Sequence, residues 1–318
     1  MVARDAEAQI FDGLYQNAYV VADIDCTVAQ LQAFGVGEFK VERDIVRPGG
    51  SGTIRHSAKA WMGPVMLELI EPWRDRKSIY DAPIPQGQFA FLHHLGFDVE
   101  DDQAWPAVTG AIHARALPVV SAGTVPGILN YAYADTLDDL GLMLEHVELM
   151  DRCFYDGVPR NAGERQARGL LDGFFQLGFV TRSLHDAKTA LAKAIGIDSF
   201  TDVEAPPDGP VRRRAWTWVG GQMLELIEPD PAVPSSFRDL LPATGSGARL
   251  HHLGMRLQDE DDRCAVLKTL ARLGVASTSL DAAAELPVLL ADCRAHLGHL
   301  IAYVELGPDA PALFQGGC

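Results

Sequence analysis

The chain has 318 residues, a formal net charge of −16 at pH 7, and 47% hydrophobic against 22% charged residues. This length leaves room for two domains of ordinary size, and the composition is that of a globular protein. The acidic balance argues against nucleic acid or an anionic membrane as partner. No apolar run reaches the length of a membrane span, and the N-terminus lacks the layout of a signal peptide. The cysteines form no close pairs, which is typical of reduced cytosolic thiols.

Two strand-and-helix pairs are predicted in the first half of the chain. The first strand begins at Tyr19 and runs into an acidic helix start. The helix Asp25–Phe34 then ends at Gly35, a favourable C-cap. The second strand, Leu95–Glu100, leads to a helix that opens at residues 101–102. Both pairs are followed by β-rich stretches that Gly and Pro interrupt.

The second half of the chain repeats this arrangement. Strands are predicted at Leu177–Arg182 and Leu253–Gln258. Ser183 is the expected N-cap of a helix that runs to Ile195, and the acidic stretch after the other strand opens a helix that runs to Leu273. Four apolar strands close the four units, at Met66–Ile70, Met143–Leu149, Met223–Ile227 and Ile301–Leu306.

The two halves also repeat each other in sequence. The segment Met66–Pro72 reads Met-Leu-Glu-Leu-Ile-Glu-Pro, and Met223–Pro229 reads the same. His93–Gly96, which reads His-His-Leu-Gly, returns as His251–Gly254. A nearly constant offset between separated blocks indicates an internal duplication.

A unit of strand, helix and three strands, paired within a domain, resembles the vicinal oxygen chelate superfamily. This is the fold of glyoxalase I, methylmalonyl-CoA epimerase, extradiol dioxygenases and the bleomycin-resistance proteins. The resemblance implies an α+β fold of four βαβββ units, paired into two tandem glyoxalase-like domains with curved mixed sheets. The domains would cover residues 1–155 and 174–318, with a linker at 156–173. It also implies a divalent metal on the concave face of each domain, bound by residues of the first and last strand of each unit.

The implied ligands are one glutamine, one histidine and two glutamates in each half, similar to the metal set of glyoxalase I. They are Gln16, Glu68, His94 and Glu148 in the first half and Gln176, Glu225, His252 and Glu305 in the second. Two carboxylates neutralise a divalent ion, and an oxygen-rich set with one imidazole suits Zn, Ni, Co, Mn or Fe. A structural interpretation remains open, in which the glutamates are half-exposed and the histidines lie in the core. A glutamate inside an apolar run is costly to bury unpaired, which favours metal binding.

Strand alternation extends the candidate site to four catalytic residues. His146 lies two residues before Glu148, and Tyr303 lies two residues before Glu305, so each pair is expected to share one face of its strand. Either partner could donate a proton or orient a substrate, or simply fill the space. The histidine that precedes each ligand histidine alternates to the other face and is interpreted as structural.

Three classes of function are compatible with these residues. The first is a metal-dependent lyase or isomerase that acts through an enolate on a moderately hydrophobic carbonyl or hydroxy-carbonyl small molecule. The second is an extradiol-type dioxygenase, which requires two histidines and one carboxylate on Fe(II) and is disfavoured by Gln16 and Gln176. The third is a metal-free binding protein. We expect the first, in a cytoplasmic protein without nucleic-acid or membrane partners that could form a homodimer.

Overall fold

The computed structural model describes residues 10–46, 52–81, 84–99, 104–161, 168–204, 209–243, 245, 247–281 and 287–306. In the first half these residues form β1 (Leu14–Val21), α1 (Ile24–Ala33), β2 (Lys40–Glu42), β3 (Ile54–Met62), β4 (Val65–Pro72), β5 (Ala90–Asp98), α2 (Ala104–Ala114), β6 (Val119–Val125), β7 (Leu129–Ala134), α3 (Leu137–Leu140) and β8 (Met143–Leu149). In the second half they form β9 (Phe174–Thr181), α4 (Leu184–Ile195), β10 (Thr201–Glu204), β11 (Val211–Val219), β12 (Gln222–Pro229), α5 (Ser236–Asp239), β13 (Ala248–Leu257), α6 (Glu260–Leu273), β14 (Ser277–Asp281), β15 (Pro287–Ala291), α7 (Arg294–Leu297) and β16 (Leu300–Glu305).

Each half builds one eight-stranded curved sheet from two units of the same kind. The strand order is β2-β3-β4-β1-β5-β8-β7-β6 in the first sheet and β10-β11-β12-β9-β13-β16-β15-β14 in the second. In both sheets the first and last strands of a unit pair in parallel, and the two first strands pair antiparallel at the centre. The predicted α+β fold of four βαβββ units in curved mixed sheets is therefore confirmed.

The helix predictions hold best where a cap residue marks the end. The Ser183 side chain accepts a hydrogen bond from the amide of Asp186, and α4 ends at Gly196 with a φ of 77°. Glycine adopts this left-handed conformation at a helix C-terminus without steric cost. The helix α1 begins slightly earlier than predicted, because Asp23 is its N-cap. The predicted start of α2 at residues 101–102 lies outside the described residues.

The two halves share one hydrophobic core, which lies between the convex faces of the sheets and includes residues of both halves. Buried polar contacts cross it as well. The Tyr19 hydroxyl lies 2.8 Å from Nε2 of His299, and the Tyr303 hydroxyl donates to the carbonyl of Leu170 at 3.0 Å. Leu170 belongs to the predicted linker, of which residues 162–167 lie outside the described part. Among the helices that the structure describes, none is long and apolar enough to span a membrane.

Candidate functional site

The concave face of the first sheet, here called the first cup, brings four polar side chains onto neighbouring strands. Glu68 and His94 lie on either side of Ala18 in one row of the sheet. Gln16 and Glu145 lie on either side of Gly96 in the next row. Residues paired across strands point to the same face, so all four side chains face the cup. They are the candidate functional group of the first half.

Small residues make room for this group. A Cβ atom at Gly96 would lie 2.6 Å from Oε1 of Gln16, closer than any real contact allows. In the second sheet, a Cβ at Gly178, the counterpart of Ala18, would lie 2.0 Å from the ring of His252. Glycine at these points lets a polar side chain fold flat over its neighbouring strand.

The first cup contains two buried contact pairs. Nε2 of Gln16 donates to Oε2 of Glu68, and Nε2 of His94 lies 3.1 Å from Oε2 of Glu145. All four residues are at most 8% exposed. Oε1 of Gln16 is buried without a hydrogen-bond partner among the described residues. A buried amide oxygen without a partner is unfavourable and marks a place where a further donor or a cation fits.

A short chain of hydrogen bonds determines how His94 presents its ring. Nε2 of His93 lies 2.8 Å from the carbonyl of Ile79, so this nitrogen carries the proton. Burial lowers the pKa of His93 to about 3, so the ring is neutral and its Nδ1 is an acceptor. That Nδ1 lies 3.0 Å from Nδ1 of His94, which therefore donates. The other ring nitrogen of His94, Nε2, is then directed toward the Glu145 carboxylate.

A buried ammonium group lies beside this set. Nζ of Lys59 is 3.0 Å from Oε1 of Glu68, 3.3 Å from Oε2 of Glu42 and 2.9 Å from Oγ of Ser57. Burial alone lowers the pKa of Lys59, but the two carboxylates outweigh it and hold the pKa above its usual value. The lysine is therefore charged at neutral pH.

Tyrosines form the rest of the wall. The hydroxyls of Tyr80 and Tyr133 lie 3.0 Å apart, and those of Tyr15 and Tyr155 lie 3.2 Å apart. Burial, followed by the charge of Glu145, raises the pKa of Tyr133 well above its usual value, and its hydroxyl hydrogen-bonds to that carboxylate. Tyr133 is thus a neutral donor at all ordinary pH values, in an aromatic cup that suits an apolar ligand.

The equivalent face of the second sheet, here called the second cup, has a different chemistry. Nε2 of Gln176 donates to Glu225 at 2.9 Å, and Nε2 of His252 lies 3.5 Å from the same carboxylate. The second carboxylate is replaced by Ala302, and Nη1 of Arg214 lies 3.1 Å from Oε1 of Glu225. Burial lowers the pKa of His252 to about 4, so this ring is neutral. The second cup therefore contains its own cation.

The four predicted catalytic residues do not face the cups, and this part of the prediction is wrong. Nε2 of His146 lies 2.8 Å from the carbonyl of Ile10, and its ring stacks on Phe97 in the core. Burial lowers the pKa of His146 to about 4. Glu148 lies on the same face of β8 and accepts a hydrogen bond from Asn130. His146 and Glu148 do share a face, but it is the opposite face from that of Glu145.

The same correction applies to the second half. Tyr303 is fully buried in the core that the halves share, where it contacts the backbone near the start of β9. Glu305 follows two residues later on the same face of β16 and is partly exposed. Neither Glu148 nor Glu305 therefore stands beside the histidine of its half.

Glu145 was not predicted, because the candidate residues were chosen as those that the two halves share. The four closing strands carry a finer repeat, Met-Leu-Glu-Leu-Ile-Glu, Met-Leu-Glu-His-Val-Glu, Met-Leu-Glu-Leu-Ile-Glu and Leu-Ile-Ala-Tyr-Val-Glu. The third position faces the cup and holds Glu68, Glu145, Glu225 and Ala302. The sixth position holds Glu71, Glu148, Glu228 and Glu305. A fourfold comparison, rather than a twofold one, would have found Glu145.

The first cup fits a divalent metal better than the second does. Within the described residues, no three His, Cys, Asp or Glu side chains gather closely enough to hold a metal ion, so the predicted three-residue convergence is not seen. Oε1 of Gln16 and Oε1 of Gln176 are both buried without a partner among these residues, so a free amide oxygen is common to the two cups. The first cup differs in the carboxylate of Glu145 beside its histidine, which a cation could join to the other donors. In the second cup, Arg214 already supplies a positive charge.

The charge count separates the cups in the same way. Five matching positions of the first sheet carry three carboxylates and one ammonium, Glu42, Ser57, Lys59, Glu68 and Glu145. Their counterparts carry one carboxylate and one guanidinium, Val203, Arg214, Trp216, Glu225 and Ala302. Lys40 lies opposite Lys59 on the same face and corresponds to Thr201, so with Lys40 counted the first set has a net charge of −1, while the second is neutral. The first cup is therefore the more negative of the two.

Comparison with known proteins agrees with this architecture. No protein-family model matches the chain, and no curated protein matches it in sequence. Among solved structures, it is similar to a triple mutant of 4-hydroxymandelate synthase from Streptomyces coelicolor, with a TM-score of 0.58 and 14% identity over 92% of each chain. A catechol 2,3-dioxygenase matches with a TM-score of 0.54 and 11% identity over 95% of this chain and 90% of that one.

A third similar structure is the Mn(II)-bound glyoxalase from Novosphingobium aromaticivorans, with a TM-score of 0.52 and 13% identity over 93% of this chain and 82% of that one. At these identities the likeness concerns the fold and not the activity. Matches over nearly the full length require both sheets of the chain to take part. The chain therefore has the vicinal oxygen chelate fold in its tandem two-domain form.

Proposed function

We propose that the first cup is the active site of a metal-dependent lyase or isomerase. It would act on a moderately hydrophobic carbonyl or hydroxy-carbonyl small molecule through an enolate-type intermediate. The observation that carries this proposal is that the buried carboxylates Glu68 and Glu145 share one buried ammonium, whereas the second half has one carboxylate with its own guanidinium. Carboxylates in a buried site need a counter-cation.

The residues of the first cup divide into ligands and a base. Gln16, Glu68 and His94 would hold the metal, with the carboxylate of Glu145 next to the imidazole. When bound, a divalent ion would supply Lewis-acid polarisation of a substrate carbonyl. Glu145 would accept the proton from the carbon next to that carbonyl, and the electron pair of the broken C–H bond would remain on the substrate as the enolate.

The surroundings of Glu145 suit this role. The Tyr133 hydroxyl donates to its carboxylate and orients it, and the raised pKa of Tyr133 keeps this donor protonated. An isomerase would return the proton from Glu145 to the substrate, whereas in a lyase the enolate would expel a leaving group. The tyrosine wall of the cup, including Tyr15 and Tyr155, supports a substrate with an apolar body.

Ring cleavage is less well supported by the same residues. An extradiol site requires two imidazoles and one carboxylate. Among the described histidines of the first sheet, His94 directs Nε2 toward Glu145 in the cup. The others have backbone partners, His93 at Ile79, His146 at Ile10 and His56 at the amide of Asp44. The donor set therefore favours proton transfer over oxygen chemistry.

A metal-free binding protein is the second candidate. The specific observation in its favour is the Lys59 ammonium, which already neutralises part of the charge on Glu68. Metal content separates the two candidates. Protein purified without chelator should contain about one divalent ion per chain if the first cup is catalytic, and none if the cups only bind organic ligands.

Exchange of substrate protons with solvent tests the proposed chemistry. We expect the wild-type protein to incorporate deuterium from D₂O into a reactive member of a panel of aryl-substituted carbonyl compounds, as measured by NMR. Glu145→Gln keeps the size of the side chain but cannot accept a proton, so the exchange rate should fall by about 100-fold or more. Glu148→Gln, on the opposite face of the same strand, is the matched control and should exchange normally.

Two results would contradict the proposal. Equal losses in both variants would remove Glu145 from the role of base. Oxygen consumption during turnover, without any proton exchange, would support a dioxygenase instead.

A further inference from the structure

The proposed catalytic roles leave one buried charge in the first cup without a function, the ammonium of Lys59. Lys59 lies directly opposite Glu68 in the antiparallel pair of β3 and β4 and is 9% exposed. A lysine has three N–H donors, and here each has a partner, namely Glu68, Glu42 and Ser57. The ammonium is therefore fixed in contact with a proposed metal ligand.

The fold itself does not require a lysine at this place. The corresponding residue of the second sheet is Trp216, which lies opposite Glu225 in the same register. There the carboxylate takes its positive partner from Arg214, two residues earlier on the strand. A neutral side chain is thus compatible with this position, and the charge of Lys59 serves the first cup specifically.

We propose that Lys59 is a positioning residue that weakens the affinity of the first cup for its divalent ion and adds a positive charge that favours an anionic ligand of the loaded cup. This inference rests on the proposed metal-dependent function. Two effects of the lysine oppose each other. Its hydrogen bond orients the Glu68 carboxylate, which favours metal binding, and its charge repels a second cation held by the same carboxylate.

The repulsion is the larger effect. A unit charge and a divalent ion on one buried carboxylate are separated by only a few ångströms, where the Coulomb energy exceeds the gain that an orienting hydrogen bond to a ligand provides. Lys59 also adds one positive charge to the loaded cup, so its removal would disfavour an anionic ligand such as an enolate.

Titration with Mn(II), followed by EPR of the free ion, tests the first part of this proposal. Lys59→Met removes the charge with little change in shape, and we expect the dissociation constant to fall by about tenfold or more. Glu42→Gln removes a partly exposed carboxylate that binds the same ammonium, and should weaken Mn(II) binding several-fold. Lys188→Met removes a lysine paired with Asp202 in the second half, and should leave the affinity unchanged.

Binding of glycolate to the Mn(II)-loaded protein tests the second part. Glycolate is a monoanion with two neighbouring oxygens, and its affinity should fall about tenfold in Lys59→Met. Unchanged or weaker Mn(II) binding in Lys59→Met overturns the proposal, because a lysine with a merely structural role could only weaken the site when removed.

The proposed function and the role of Lys59 fail in different ways. A wild-type chain that binds none of Mn(II), Zn(II), Ni(II) and Co(II) ends the proposed function, and the role of Lys59 with it. Wild-type binding with unaltered variants ends only the role of Lys59. If Lys59→Met does not fold, as judged by its melting temperature, Glu42→Gln decides alone, and unchanged or tighter binding in that variant overturns the inference.

Discussion

The orientation of a single imidazole, that of His94, depends on the preceding residue, which lies at an irregularity in the pairing of β1 with β5 and packs against Tyr80. His93 fixes the tautomer by bonding the Ile79 carbonyl through one nitrogen and His94 through the other. The second half repeats the arrangement, with Nδ1 of His251 3.0 Å from Nδ1 of His252. The pair of adjacent histidines is thus one device in which the first residue orients the second.

This device can be tested by comparing the two halves. His93→Leu should weaken Mn(II) binding by about 10–100-fold, because the His94 ring loses the partner that directs its Nε2 lone pair. His251→Leu removes the same contact beside Arg214 and should leave Mn(II) binding unchanged. Isothermal titration calorimetry on both variants measures the difference, and equal losses of affinity would contradict the assignment of the metal to the first half.

Three of the four residues on the concave face of the first cup were predicted from the sequence, and the fourth was missed. Gln16, Glu68 and His94 lie there because each belongs to a strong apolar pattern whose alternation is visible without a structure. Glu145 was missed because Glu148 is the residue that recurs in the second half, at Glu305. On the core face of the closing strands, both halves have a glutamate, Glu148 and Glu305. On the cup face, the counterpart of Glu145 is Ala302, so a comparison of the two halves does not single out Glu145.

At the scale of elements, the sixth-position glutamates of the closing strands have a role in two of the four units. Oε2 of Glu71 accepts a hydrogen bond from the amide of Ile24, the first residue of α1, at 2.9 Å. Oε2 of Glu228 accepts from the amide of Leu184, the first residue of α4, at the same distance. Each carboxylate ties the start of a helix to the last strand of its own unit, where the helix dipole favours a negative charge.

Removal of these carboxylates should therefore destabilise the fold. Glu71→Ala and Glu228→Ala should each lower the free energy of unfolding by about 1–3 kcal/mol, because a buried amide loses a charged acceptor. Glu148→Ala, at the same position of β8, removes a partly exposed carboxylate bound to Asn130 and should cost about 0.5 kcal/mol or less. Urea denaturation measures all three, and a similar loss in Glu148→Ala would show that the helix contact is not the cause.

Most helices and strands could be predicted from the sequence. The errors in their predicted ends arise from local features of the chain. The caps at Ser183 and Gly196 mark α4 because their side-chain chemistry determines backbone geometry. The strand β5 begins at Ala90, five residues before the predicted start at Leu95. The histidine pair in between is typical of a polar strand end, whereas both rings are buried by contacts that no local pattern reveals.

At the scale of the whole molecule, the contact between Tyr19 and His299 joins the two halves. Burial lowers the pKa of His299 to about 4, below the value of about 6.5 for an unfolded histidine. Between these values the unfolded chain binds a proton that the folded chain does not. Stability that His299 supports is therefore fully present above pH of about 6.5 and is lost as the pH falls toward 4.

Replacement of His299 should make the free energy of unfolding less dependent on pH in the acid range. His299→Gln should reduce the slope of unfolding free energy against pH by about 1.4 kcal/mol per pH unit between pH of about 6 and 4.5, the amount for one proton. His185→Gln, which replaces an exposed histidine on α4, is the control and should leave the slope nearly unchanged. Thermal unfolding followed across this pH range measures the slope, and identical slopes for all three proteins would refute the role of His299.

The guanidinium of Arg214 has a consequence for how the protein depends on its environment. Because this positive charge is part of a side chain, every molecule carries it from synthesis, and a chelator can neither remove it nor allow its exchange for another ion. The first half, under the proposed function, recruits its cation from the surrounding pool instead. Metal supply would then affect the first cup only, while the second cup keeps its charge balance whatever ions are present.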